Sequence, residues 1–302
     1  MNPVDQARTA RAQMRIDLHA HSNASDGSDS AADLVEIAYA AGLDVVALTD
    51  HDTVDGYVEA TAAVRRLAGA AARRRFGLMP GIELSCLAGD VSLHLLGYLF
   101  DPTYPALVAE LELLRTDRVR RARSMVDKLV ELGAPVSWPQ VVRIAGAGAV
   151  GRPHVAQALV DAGVVPDIAS AFTPEWISND GRAYVEKYSL LPERGIELVR
   201  AAGGVTVFAH PAASARGQVV DESAIERFAA AGLDGIEVDH PDHDEAARER
   251  LREIAASLDL LVTGSSDYHG TVKSTPIGAE TTDRVVYGEL VARASGNSVV
   301  ST

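Results

Sequence analysis

The 302-residue chain has a single cysteine, Cys86. One thiol excludes any disulfide within the chain and fits a reducing, cytoplasmic setting. Aromatic residues make up only 5 %. Ala, Val and Leu must therefore build most of the core, and few rings remain for stacking bases along a single strand. A basic excess is also missing: 28 Lys and Arg stand against 42 Asp and Glu, a net charge of −14. That excludes broad, non-specific binding of duplex nucleic acid, which needs a positive surface. It does not exclude a short anionic ligand held in a local pocket. No apolar run approaches the roughly 18 residues of a membrane span. Residues 1–13 are polar and Ala-rich, without the apolar stretch of a secretory signal, and read as a disordered extension.

Hydrophobic residues reach 47 %, enough for a sizeable core. Short apolar runs alternate with helical stretches. Met14 to His19, Val45 to Leu48, Leu78 to Leu84, Val91 to Tyr98, Gly204 to Ala209, Gly235 to Val238 and Leu260 to Thr263 read as strands. Ala31 to Ala41 (closed by Gly42), Val58 to Ala72, Glu193 to Ala202 and Asp244 to Ser257 read as helices. The alternation predicts parallel βα units. Tyr104 to Leu132 breaks the pattern as one long amphipathic helix, with Leu107, Leu111, Leu114, Val126 and Leu129 on its apolar side. Residues 103–190 are expected to be a helical insertion, serving as a substrate-binding cap, between barrel segments 14–102 and 191–302.

Chemistry-bearing residues recur at the ends of these strands. His19, His51, His210 and the pair Asp267 and His269 each follow an apolar run. In a parallel βα barrel, strand C-termini converge on one face, so ligands far apart in sequence meet there. His19 and His21 are two apart on an extended segment and share a face. Asp26 lies in a Ser-Asp-Gly turn, and Glu83 in Gly81-Ile82-Glu83-Leu84-Ser85 is placed to bridge two ions. His94 shares a strand face with Ser92 while Val91, Leu93 and Leu95 point away, and a polar group on such a strand needs a partner. Imidazoles and carboxylates without thiolates suit zinc, manganese or iron. Taken singly, each histidine reads equally well as a hydrogen-bonded residue beside a barrel mouth, and Asp26 as a plain turn residue.

Five segments in order carry a stronger signal: Asp17-Leu18-His19-Ala20-His21-Ser22, Leu48-Thr49-Asp50-His51-Asp52, Gly81-Ile82-Glu83-Leu84-Ser85, Phe208-Ala209-His210-Pro211 and Ser266-Asp267-Tyr268-His269. Together they resemble the polymerase and histidinol phosphatase (PHP) family over roughly residues 14–270. The resemblance implies a distorted seven-stranded (β/α) barrel with a helical insertion and a cluster of two to three divalent ions. It implies nine ligands: His19, His21, Asp26, His51, Glu83, His94, His210, Asp267 and His269. His19, His21, Glu83 and Asp267 would hold one ion, Glu83, His94 and His210 a second, and Asp26, His51 and His269 a third. The insertion resembles a branch of nucleotide phosphatases and 5′→3′ exoribonucleases. Within Gly151-Arg152-Pro153-His154, the likeness assigns Arg152 and His154 to substrate phosphate, which the planar fork of an arginine suits. The same two residues also read as a helix start with Pro153 at its first position.

The implied reaction is hydrolysis of a nucleotide phosphate ester, of the 3′,5′-bisphosphate or AMP type, or of a short 5′-phosphorylated oligonucleotide. A metal-activated water attacks, with no protein nucleophile. A histidinol-phosphate phosphatase is the alternative within the enzyme class, and a non-catalytic metal-binding module the alternative outside it. Asp50 and Asp52 are expected to support ligands or cap a helix. In Asp239-His240-Pro241-Asp242-His243, His240 is within reach of the pocket and His243 is expected to be solvated, neither as a ligand. Cys86 reads as a small buried apolar residue, and Arg73-Arg74-Arg75 as a solvated helix end.

Overall fold

The computed structural model describes residues 14–69, 74–146, 150–186, 188–213 and 217–302. Residues 1–13 and Arg73 lie outside the described residues. The chain divides into two compact units, Met1–Leu107 with Leu190–Thr302, and Val108–Ser189.

The first unit is a distorted seven-stranded barrel. Its strands are β1 (Ile16–Asp17), β2 (Val45–Leu48), β3 (Gly77–Ala88), β4 (Val91–Tyr98), β5 (Val205–Phe208), β6 (Gly235–Asp239) and β7 (Leu261–Gly264), and they neighbour one another in sequence order. A further short strand, β8 (Val300–Ser301), pairs antiparallel with the start of β3. The helices of this unit are α1 (Ala31–Ala40), α2 (Tyr57–Gly69), α7 (Pro192–Ala201), α8 (Glu222–Ala231), α9 (Glu245–Ser257) and α10 (Arg284–Arg293). Their starts follow local chemistry. Ser30, Asp221, Asp244 and Asp283 each turn a side-chain oxygen onto an amide of the first helical turn.

The parallel expectation holds for β1-β2-β3 and for β5-β6-β7, but β4 runs antiparallel to both β3 and β5. The reason is local. Gly89 takes φ 59°, so the chain reverses in a tight turn between β3 and β4. A parallel return needs a crossover of roughly a dozen residues or more. The ladder of β1 is also shorter than the apolar run Met14 to His19 implied. Beyond Asp17 the regular ladder stops, and Ala20 bridges Tyr268 while its carbonyl accepts the amide of Thr49, just past β2. The segments after β1 and β7 are joined by the backbone bond from His21 to the Tyr268 carbonyl (2.8 Å) and by the Asp17 side chain, which accepts the Ser266 amide (3.0 Å) and hydroxyl (2.6 Å). Buried apolar clusters of this unit include one around Leu34, Val46, Leu78 and Phe76 and another around Leu18, Met79, Tyr98 and Val207.

The second unit contains the rest of α3 (Pro105–Glu131), with α4 (Trp138–Ala145), α5 (Arg152–Asp161) and α6 (Ile168–Ala171). It has its own core, in which Met125, Val126, Leu129, Val141, Val155, Leu159 and Ile177 are buried. Among the described residues, no helix is long and apolar enough to cross a membrane.

Candidate metal centre

The strand ends of the barrel unit carry a dense, buried group of imidazoles and carboxylates. His19, His21, Glu83, His210, Asp267 and His269 are buried, His51 and His94 are partly exposed, and Asp26 has its side chain half in solvent. Three sets of facing donor atoms occur among the described residues: His19, His21, Glu83 and Asp267; His51, Glu83 and His94; and His21, Asp26, His51 and His269. Within each set the atoms lie within 4.8 Å of one another. His210 joins them through its Nε2, 3.0 Å from Glu83 and 3.4 Å from His94.

Glu83 occupies the centre. Its Oε2 faces His19 Nε2 (3.2 Å), His21 Nε2 (3.1 Å) and His51 Nε2 (3.3 Å). Its Oε1 faces His94 Nδ1 (2.9 Å) and His210 Nε2 (3.0 Å). The two oxygens of one carboxylate thus address two different groups of imidazoles. This position comes from sheet geometry: Glu83 pairs with His51 across a parallel bridge, and its strand continues into the hairpin that brings His94 back.

The spacing fits divalent ions. Donor atoms sharing one ion at about 2.1 Å stand roughly 3.0–3.4 Å apart in octahedral or tetrahedral order. His19 Nε2 and His21 Nε2 are 3.0 Å apart, and Asp267 Oδ1 is 3.4 and 3.3 Å from them. Two imidazole lone pairs do not face each other at that distance without a proton or an ion between them. His21 Nδ1 and His51 Nδ1 are buried without a hydrogen-bond partner. The His21 Nδ1 lies 3.6 Å from Asp26 Oδ1, and His269 Nε2 lies 3.3 Å from the same oxygen.

Without ions, protons balance the carboxylates. Burial works against a charged His21, yet its hydrogen bonds to Asp267 and Glu83 outweigh burial and push it up to about 9. His19 is also raised: burial opposes its charge, but Glu83, Glu237 and Asp267 prevail. His51 and His210 go the other way, held down to about 3 and about 4 chiefly by burial. An ion that takes His21 must displace its proton. Addition of Mn²⁺ to the metal-free protein at pH 7–8 is therefore expected to acidify a weakly buffered solution by at least one proton per chain. Apparent affinity should climb with pH from 7 to 9 as His21 loses its proton. Loading with no proton release would contradict this balance.

The surrounding carboxylates are structural hubs. Asp17 accepts from Ser266, Gly278 and the His19 amide, which ties β1 to the loop bearing Asp267. Asp50 accepts from the Ser22 amide and the hydroxyls of Ser22 and Ser25, so it supports the segment from His19 to Asp26. Asp52 accepts from the Ser85 amide. Both aspartates hold ligand-bearing segments in place. Two proposed ligands, His210 (φ 28°) and Asp267 (φ 52°), sit in the left-handed backbone region, where strain is tolerated only if the surroundings impose it. In the Asp26 turn, a Cβ on Gly27 would collide with the His21 carbonyl oxygen.

Some surroundings differ from expectation. His243 is not solvated: it is buried, its Nδ1 donates to the Val238 carbonyl, and its Nε2 accepts from the Ala212 amide. The loop folds inward because both ring nitrogens find backbone partners. Arg74 is not a free helix end either. Its guanidinium donates to the Tyr39 and Leu43 carbonyls and lies 4.3 Å over the Tyr39 ring. Cys86 is buried, as its apolar reading requires.

His240 is buried, and its Nδ1 accepts from the Asp242 amide. Its proton is thereby placed on Nε2, 3.6 Å from Asp267 Oδ2. Lys273, 2.7 Å from the same oxygen, and Glu237, 3.1 Å from His19, were not legible as site residues. The available signal for Glu237 was an acid inside an apolar strand, the same signal that marks His94. Lys273 carried none.

In the second unit, α5 starts at Arg152 with Gly151 as its cap and a proline in the first turn. His154 Nδ1 accepts from the Gly151 amide, so the helix-start reading holds. Arg152 donates to Asn179 Oδ1 (2.9 Å) and lies 5.7 Å over the Phe172 ring.

Residues 17–131 match the family model described as the PHP domain. A 5′-3′ exoribonuclease of Haemophilus influenzae is 34 % identical over 257 residues, covering 84 % of this chain and 90 % of the relative. A 3′,5′-nucleoside bisphosphate phosphatase of Chromobacterium violaceum is 32 % identical over 284 residues, covering 92 % and 97 %. A solved structure from Bifidobacterium adolescentis, described as a candidate metal-dependent phosphoesterase, superposes with a TM-score of 0.79 at 36 % identity, covering 94 % of this chain and 97 % of that one.

Proposed function

The chain belongs to the PHP family of metal-dependent phosphoesterases, and from that premise we propose that it hydrolyses phosphate esters of nucleotides. The substrate is a 3′,5′-bisphosphate nucleotide, an AMP-like monoester or a short 5′-phosphorylated oligonucleotide. The observation that carries this reading is Glu83, whose two oxygens separate the ligand cluster into adjoining subsites.

Nine residues are the proposed ligands. His19, His21, Glu83 and Asp267 hold one ion, Glu83, His94 and His210 a second, and Asp26, His51 and His269 a third. The imidazole and carboxylate donor set suits two to three divalent ions, manganese, zinc or iron, which when bound would supply an activated water and charge neutralisation for phosphoryl transfer. The chain's own part is to hold these donors and to present no competing nucleophile. Three buried serines beside the cluster are committed as donors, Ser22 to Asp50, Ser265 to Glu237 and Ser266 to Asp17. In the helical unit Arg152 and His154 contact substrate phosphate. The lone buried thiol fits a cytoplasmic enzyme.

The test is phosphate or nucleotide release, with Mn²⁺ added, from AMP, a 3′,5′-bisphosphate nucleotide, 5′-phosphorylated oligonucleotides of rising length and histidinol phosphate. Turnover on one of the nucleotide substrates is expected. A clear preference for histidinol phosphate would overturn the substrate class, and a metal-loaded protein inert on all of them would reduce it to a binding module. Replacing Arg152 with Ala should raise KM about tenfold, the loss of one phosphate contact of about 1.4 kcal/mol, with kcat nearly unchanged. A fall in kcat at constant KM would remove Arg152 from ground-state substrate binding.

A further inference from the structure

Three ligand-bearing segments meet on one fully buried carboxylate that is not itself a proposed ligand. Glu237 lies on β6 with its side chain sealed from solvent. Its Oε1 faces His19 Nδ1 at 3.1 Å and accepts the Ser265 hydroxyl. Its Oε2 accepts the His210 backbone amide at 2.8 Å. Ser265 is two residues before Asp267.

We infer that Glu237 is a positioning residue for the metal cluster, fixing the tautomer of His19 and the strained backbone of His210 at once. This rests on the reading of His19 and His210 as ligands. An ionised carboxylate is acceptor-only. Facing His19 Nδ1, it requires the proton there and leaves the Nε2 lone pair turned to Glu83 and Asp267, where the first ion binds. At His210 the left-handed backbone, φ 28°, points its amide at Oε2, and that hydrogen bond holds the residue where its Nε2 reaches Glu83. One side chain therefore sets the geometry of a ligand for the first ion and of one for the second. Asp26, His51 and His269, the ligands proposed for the third ion, make no contact with it among the described residues.

A glutamine cannot replace it. With three donors converging on two oxygens, an amide leaves at least one donor facing its own NH₂. Donated to His19 Nδ1, that NH₂ also selects the opposite tautomer, with the proton on Nε2.

The experiment compares wild type, Glu237→Gln and Glu237→Asp, all loaded with Mn²⁺. Metal per chain is read by mass spectrometry after dialysis against graded chelator, beside circular dichroism and melting of the metal-free forms. Glu237→Gln is expected to keep its secondary structure and to bind the first two ions about 10–100-fold more weakly. Excess Mn²⁺ should restore part of kcat with substrate KM unmoved. If Glu237→Gln does not fold, Glu237→Asp carries the test, because it keeps an acceptor-only group one methylene short. Its expected result is weakened retention with unchanged metal-free melting. Wild-type retention in a folded variant would overturn the positioning role alone, as would lowered metal-free melting with unaltered retention. A wild-type protein that holds no divalent metal would instead overturn the metal-centre reading and this inference with it.

Discussion

Replacing Glu83 with alanine is expected to abolish turnover and to strip the cluster of its shared ion positions. The loss should exceed the 10–100-fold that removal of an outer partner costs, because Glu83 contributes an oxygen to two groups at once. Glu83 is buried and held well below the usual carboxylate range: burial opposes its charge, but His51, His94 and His19 outweigh it. Removing it leaves five imidazoles without their common anion, so bound cations meet less compensating charge. Metal per chain and kcat should fall together, with secondary structure retained. Glu83→Gln separates shape from charge, since it keeps the volume but offers one acceptor oxygen. Activity preserved in Glu83→Ala would refute the bridging role.

Removal of the ions by a chelator is expected to abolish turnover and to lower the melting temperature, with both recovered on return of Mn²⁺. A ligand present at about 1,000 times its dissociation constant stabilises the folded state by about 4 kcal/mol. For a unit of this size that corresponds to roughly 8–16 °C. The physical source is the packing of His19, His21, Glu83 and Asp267, all buried within one small volume. Metal-free, that set relies on protonated imidazoles for balance. Loaded, each ion replaces those protons with a larger fixed charge. Melting that ignores the chelator while activity disappears would show that the ions serve chemistry without supporting the fold.

The strand ends were readable because a ligand after an apolar run needs only two local facts, the run and the polar residue that closes it. The run from Val45 to Leu48 and the helices flanking it agree with sequence periodicity, as does the alternation around His94 on β4. The direction of β4 was not readable from alternation, which is the same in parallel and antiparallel strands. The decisive feature was the short connection with Gly89 in a left-handed conformation. His243 misled for a related reason. A histidine in a Pro-Asp loop looks solvated until the Val238 carbonyl and the Ala212 amide are found on either side of its ring. Lys273 carried no signal because a lysine in a loop is ordinarily solvated and only the folded turn aims it at Asp267, and Glu237 showed only as an acid inside an apolar strand because its partner His19 lies far away along the chain.

By itself the sequence determined the donor types, their order and their attachment to strand ends, since these follow from residue chemistry and short-range periodicity. His19 and His21 were bound to share a face by their spacing alone. Only the tertiary structure decided that Glu83 stands between two groups of imidazoles, that His94 arrives on a reversed strand, and that Glu237 closes the far side of His19. The reversed strand of His94 follows from the tight turn at Gly89, while the others depend on contacts between residues separated by tens to hundreds of positions, which barrel closure brings within a hydrogen bond of each other.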